Sequence, residues 1–148
     1  MGGGLTVQAP YETLKVWERA HQLVLAVYNA TEKFPKSEQF GLASQLRRAA
    51  VGIPANLAEG NARHSIRDYL RFCYIARGSL AELRYLLRLA ADLHYLSTET
   101  FQACMMKCDE VGKMLHFLIE GLRKRDRGAN PPERDATAGL PLPRSLVP

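Results

Sequence analysis

Six arginines between residues 63 and 88 are the side chains best suited to chemistry in this sequence. At 100° per residue, Arg63, Arg67, Arg71, Arg77, Arg84 and Arg88 fall within one helical arc of roughly 140°. Tyr74, Tyr85, Leu70 and Ala81 share that arc. Guanidinium groups hold phosphates in a bidentate fork, and aromatic faces stack unpaired bases. One helix would thus present a basic stripe about 35 Å long. Three readings are open. The stripe is a solvated face, as charge runs usually are. It is a subunit interface, since arginine and tyrosine are enriched there. Or it is a nucleic-acid site, which Arg123, Lys124 and Arg125 would extend.

Catalytic patterns are missing. His21, His64, His94 and His116 are scattered, and no HExxH, phosphate loop or GxGxxG occurs. Arg88 and His94 have the spacing of ribonucleases built on certain other four-helix domains, but about one such match is expected by chance in this composition. Glu59 and Glu82 lie close to apolar helical positions but lack the Glu-x-x-His partners of a di-iron centre. They are expected to pair, partly buried, with Arg47, Arg48 or Arg77. Cys73, Cys104 and Cys108 are read as reduced core cysteines. Cys104 and Cys108 are one turn apart, but a second ligand pair is lacking. Neither metal nor cofactor is expected, and no enzymatic activity.

The chain has 148 residues, enough for one domain with one core. Hydrophobic residues make up 47% and charged residues 24%, an ordinary globular balance. The net charge is +5. The basic excess concentrates in residues 63–96, with six arginines against three carboxylates. No apolar run approaches the roughly 18 residues of a membrane span. The opening MGGGLTVQAP lacks a signal-peptide pattern, and residues 1–10 are expected to be a flexible leader. Gly2 followed by Thr6 fits the permissive myristoylation pattern, but the glycine-leader reading is preferred.

Four periodic segments must position the stripe. The first runs from about Thr13 to Phe34 through Ala20, Val24, Val27 and Thr31, with Trp17 and Tyr28 alongside, and Pro35 ends it. Ser37 is expected to cap a second helix reaching Glu59, with Gly60-Asn61 as its stop. Pro54 lies inside that pattern without shifting its phase, so a kinked but continuous helix is expected. Ser65 to Asp68 approximates a capping box and opens a third helix ending near Asp92. Its core face is expected at Tyr69, Phe72, Ile75, Ala76, Leu80, Leu83, Leu86 and Leu89. Ser97 caps a fourth, running to about Lys124. The connections are short, so sequential helices should fold back on each other. The fold class is all-α, an antiparallel up-down-up-down four-helix bundle of long helices over residues 11–126. Residues 127–148, with Pro131, Pro132, Pro141, Pro143 and Pro148, are expected to be an extended or disordered tail.

Several long segments are distinctive. They are Tyr11 to Trp17 (YETLKVW), Phe34-Pro35-Lys36, Gly41 to Ala50 (GLASQLRRAA), Ile53 to Gly60 (IPANLAEG) and Gly78 to Leu83 (GSLAEL). In this order they resemble the family of four-helix proteins encoded by intervening sequences of bacterial 23S ribosomal RNA genes, over roughly residues 11–124. The resemblance implies a bacterial, cytoplasmic protein assembled as a ring-like homopentamer. It is more distantly similar to the accessory protein of diversity-generating retroelements, which binds nucleic acid and a reverse transcriptase through a basic surface. That implies RNA, or a nucleic-acid-processing protein, as a partner, and it supplies no catalytic residues. The expected function is a non-catalytic homo-oligomeric scaffold that binds RNA or an RNA–protein complex through the Arg/Tyr surface. The alternative is a protein-interaction oligomer with no affinity for nucleic acid.

Overall fold

The computed structural model describes residues 14–129. The order is α1 (Lys15–Thr31), a single 3-10 turn (Lys36–Glu38), α2 (Leu42–Asn61), α3 (Ile66–Asp92) and α4 (Thr98–Ala129). No strand occurs among the described residues. α1 packs on α2 and α4, and α3 packs on the same two helices, which closes a four-helix bundle. The direction of neighbours can be read from their contacts. Arg84 meets Asp109 and Arg67 meets Asp126. Seventeen residues back along α3 therefore correspond to seventeen forward along α4. On the other side, Gly52 faces Ser79 and Gly60 faces Phe72. α3 thus runs opposite to both α2 and α4, as short connections require.

The core is a stack of aliphatic side chains from all four helices, including Leu23, Leu46, Ile53, Leu57, Leu83, Leu87, Leu115 and Ile119. Burying each contributes roughly 1.5–3 kcal/mol. Phe34 leaves α1 and plugs one end of the core, 4% exposed, its ring 5.5 Å from that of Tyr95.

Helix ends depart from the expected ones in instructive ways. α1 stops at Thr31, short of Phe34. The buried Thr31 hydroxyl donates to Val27 O at 2.8 Å and to Tyr28 O at 3.1 Å, and it accepts from Arg47 Nε at 2.9 Å. Ser37 does not cap α2; it lies in the 3-10 turn. α2 begins at Leu42, whose amide donates to the Glu38 carboxylate at 2.9 Å, so the capping oxygen comes from four residues upstream. α2 continues unbroken through Pro54 to Asn61. Gly60 is therefore inside the last turn and is no stop signal. Its absent side chain admits α3, since a β-carbon there would stand 2.8 Å from Phe72 Cβ. Ser65 and Ser97 cap as expected, accepting from Asp68 N and Thr100 N at 3.1 Å each.

α3 ends in a Schellman motif. Tyr95 N donates to Ala90 O at 2.9 Å and His94 N to Ala91 O at 3.0 Å, with His94 in the left-handed region at φ 62°. α4 runs to Ala129, past the helix end expected near Lys124 and three residues beyond the bundle boundary expected at 126, which brings Arg127 out of the expected tail and into the helix. The expected leader 1–10 and the tail from 130 lie outside the described residues.

Candidate nucleic-acid interface

α3 positions most of the stripe. Its Ser65 cap fixes the start, and Phe72, Ala76, Leu80, Leu83 and Leu87 hold one side against the core. That leaves Arg67, Arg71, Tyr74, Arg77, Tyr85 and Arg88 exposed, with Arg84 half-buried. Arg63 is not on this helix. It sits in the turn after α2, 2.9 Å from the Glu59 carboxylate, with its guanidinium over the Phe72 ring at 4.8 Å. Two further assignments need correction. Leu70, placed on the outer arc, is 8% exposed and joins the core, while Ile75, placed on the core face, is 44% exposed. The core arc of α3 is rotated toward Leu70 and Cys73, because α4 packs on that side of the helix.

Most of the stripe already has carboxylate partners within the subunit. Arg67 pairs with Asp126 at 3.6 Å, Arg84 with Asp109 at 2.6 Å and Arg88 with Asp92 at 3.4 Å. Arg71 and Arg77 have none among the described residues. Their guanidinium groups lie over Phe72 at 4.9 Å and over Tyr74 at 4.9 Å. Such cation–π contacts stiffen a side chain without neutralising it. The exposed ion pairs are worth little, so Arg67 and Arg88 can exchange a carboxylate for a phosphate at small cost. At the end of α4, Arg123 pairs with Glu120 at 3.6 Å, while Lys124 and Arg125 are exposed.

Two open grooves follow this face. One, of about 590 Å³, is lined by Arg67, Leu70, Arg71, Tyr74, Ile75 and Asp126. The other, of about 740 Å³, lies between α3 and α4, with Arg77 and Arg84 on one wall and Lys113, His116 and Phe117 on the other. Gly112 deepens it, for a β-carbon there would meet Arg84 Nη2 at 3.3 Å. Phe117, Lys113 and His116 were not among the sequence candidates. The available signal was the phase of α4: Cys104, Cys108, Val111, Leu115, Ile119 and Leu122 are buried, and Phe117 is off that register at 75% exposure.

The other groups singled out in the sequence gather no second site among the described residues. Glu59 and Glu82 are exposed, so neither is the partly buried carboxylate expected. Arg47 reaches Thr31 and the Tyr28 ring instead. Arg88 pairs with Asp92, and His94 serves the helix end, so the ribonuclease spacing gathers no site. Cys73, Cys104 and Cys108 are free and buried. Burial pushes the Cys73 and Cys108 thiols up to about 12 and raises that of Cys104. They are poor nucleophiles, since the thiolate is the reactive form. Among the described residues no group of three His, Cys, Asp or Glu side chains could hold a metal ion, and no helix is long and apolar enough to cross a membrane.

Comparison with known proteins gives a consistent answer. No curated protein matches. Among solved structures, the chain is similar to a protein of unknown function from the S23 ribosomal protein family of Bacteroides thetaiotaomicron VPI-5482. The two share 22% identity over 70% of this chain and 97% of that one, with a TM-score of 0.66, a likeness of fold. The sequence pattern of 23S rRNA-intervening sequence proteins matches residues 12–117, the span that holds α1 to α3, most of α4 and the stripe between them, and the chain belongs to that family.

Proposed function

We propose that this protein is a non-catalytic, homo-oligomeric scaffold that binds RNA, or an RNA–protein complex, through the outer surface of α3. The observation that carries the reading is the pair Arg71 and Arg77, two cations without a carboxylate partner among the described residues, beside the exposed Tyr74 and Tyr85. Arg63, Arg67, Arg84, Arg88, Arg123, Lys124 and Arg125 add reserve positive charge around them. Self-association, most simply as the homopentameric ring that the family resemblance implies, is supported by exposed apolar side chains on two sides of the bundle. Leu25 and Val51 stand out from α1 and α2, and Ile75, Met106 and Phe117 from α3 and α4. A bacterial cytoplasmic setting fits three free thiols.

The test is salt-dependent binding to RNA and DNA. Phosphate binding must weaken linearly in log K against log salt, with a slope near −0.7 per phosphate contacted on a single strand. Light scattering of the same samples should give a multiple of 16.6 kDa at micromolar concentration. One observation favours a second reading. Phe40, at 99% exposure, is a knob suited to a protein partner. Oligomers with no measurable affinity for either nucleic acid would select that protein-interaction reading.

A further inference from the structure

We infer that the α3–α4 groove is a seat for one unpaired nucleotide of an RNA strand, with the base stacked on Phe117 and the adjoining phosphates held by Arg77 and Lys113. This rests on the RNA reading above and sharpens it from a basic surface to a single-strand site.

The phenyl ring of Phe117 has no polar handle, so 75% exposure leaves a large apolar face in water. The groove beside it has about 740 Å³, within the usual range for a small-molecule site. Its floor is Leu80, Ala81 and Gly112, small or apolar residues that leave the cleft open. The carboxylate in its lining, Asp109, is neutralised by Arg84 at 2.6 Å. Arg77 and Lys113 then stand on opposite walls, without a carboxylate partner among the described residues. A site that is apolar on its floor, aromatic at its edge and doubly cationic at its walls selects a flat ring carrying negative charge.

The helix register aligns the aromatic ring with the cations of α3. The pairs Arg84–Asp109 and Arg67–Asp126 place Phe117 level with residues 76 and 77 of α3. Arg77 therefore stands level with Phe117, and its guanidinium reaches back over the Tyr74 ring about one turn along α3. From Arg77 the cations continue down α3 to Arg71 and Arg67, about 15 Å at 1.5 Å per residue. A free mononucleotide has no use for that length of charge, whereas a strand does. A duplex keeps its bases paired and offers none to Phe117. A second copy of this chain is the competing occupant, and it would have to seat a carboxylate-bearing surface on the same cations.

The test uses the full chain and three probes: a fluorescent oligouridylate of about eight nucleotides, a blunt-ended RNA duplex with no unpaired base, and UMP as competitor. Phe117→Leu keeps bulk and removes the π face. It should weaken oligouridylate binding about tenfold, the cost of one base–aromatic stack, with duplex affinity and salt slope unchanged. Arg77→Gln with Lys113→Gln should instead flatten the salt slope by about one unit or more. Phe117→Trp, at an exposed position, should show indole fluorescence quenched on adding oligouridylate. Oligouridylate binding unchanged in Phe117→Leu, or no quenching in Phe117→Trp, overturns the seat while the RNA reading stands. Failure of wild type to bind either RNA overturns both. A Phe117→Leu protein that loses its oligomer and keeps its RNA affinity makes the groove a subunit contact. UMP competing as well as the oligomer, nucleotide for nucleotide, makes it a free-nucleotide site.

Discussion

Gly60 of α2 and Phe72 of α3 meet so closely that a β-carbon on the glycine would stand 2.8 Å from Phe72 Cβ and 3.1 Å from Tyr69 Cδ1. Neither obstacle is the far end of a flexible side chain, so the helices must separate. Gly60→Ala should therefore destabilise the bundle by about 1–3 kcal/mol. Gly78 on α3 has nothing within 4 Å of its would-be β-carbon. Gly78→Ala should gain about 0.5–1 kcal/mol from helix propensity alone. Chemical denaturation of the two variants should give opposite signs.

His94 holds the left-handed turn that ends α3, at φ 62°. Glycine adopts that conformation without the steric cost of a β-carbon. His94→Gly should stabilise the protein by about 1 kcal/mol. A loss on thermal melting would mean that the imidazole holds contacts worth more than the strain.

The buried thiols set a pH dependence. Their folded pKa values lie above those of the unfolded chain, about 12 for Cys73 and Cys108. The folded state thus keeps protons that the unfolded state gives up. Stability from these groups is complete below the unfolded thiol pKa of about 8.5 and is lost as pH rises toward 12. Each thiol should steepen the alkaline fall by up to about 1.4 kcal/mol per pH unit. Denaturant titrations at pH 8, 9 and 10 should show the fall, and the Cys73→Ala, Cys108→Ala double variant should show a shallower one from a lower start.

Pro54 sits inside the continuous α2 and cannot donate to the Ala50 carbonyl. A bend of more than about 20° centred on residues 50–54 is expected. Residual dipolar couplings of the two halves of α2 would measure it, and collinear halves would disprove it.

The sequence showed the helices because core leucines recur at helical spacing and two serines cap in the ordinary way. It misplaced the start of α2 because the capping oxygen belongs to Glu38, four residues before the first helical turn. It misread Gly60 because a glycine near a helix end marks a stop or a close approach equally well, and only the neighbouring helix decides. The stripe was legible as an arc on one helix, except that Arg63 lies in the turn before it. Its electrostatics were not, because Asp109 and Asp126 arrive from α4 through the register of packing. The same register brings Phe117 beside Arg77, an arrangement that a helical wheel of α3 alone has no means of showing.

The seam between α1 and α4 has a consequence in time. Arg19 and Glu110 lie 3.0 Å apart in space and about 90 residues apart along the chain. Every other helix contact joins sequence neighbours. Closing the long loop costs the most chain entropy, and α2–α3 is the most extensively packed of the local pairs, so α2–α3 should form before α1 closes on α4. Leu83→Ala in α3 should then slow folding, whereas Leu23→Ala in α1 should mainly quicken unfolding. A bundle built this way sheds its first helix before the rest, so α1 governs how long a folded molecule lasts while the arginine-bearing half governs how quickly one forms.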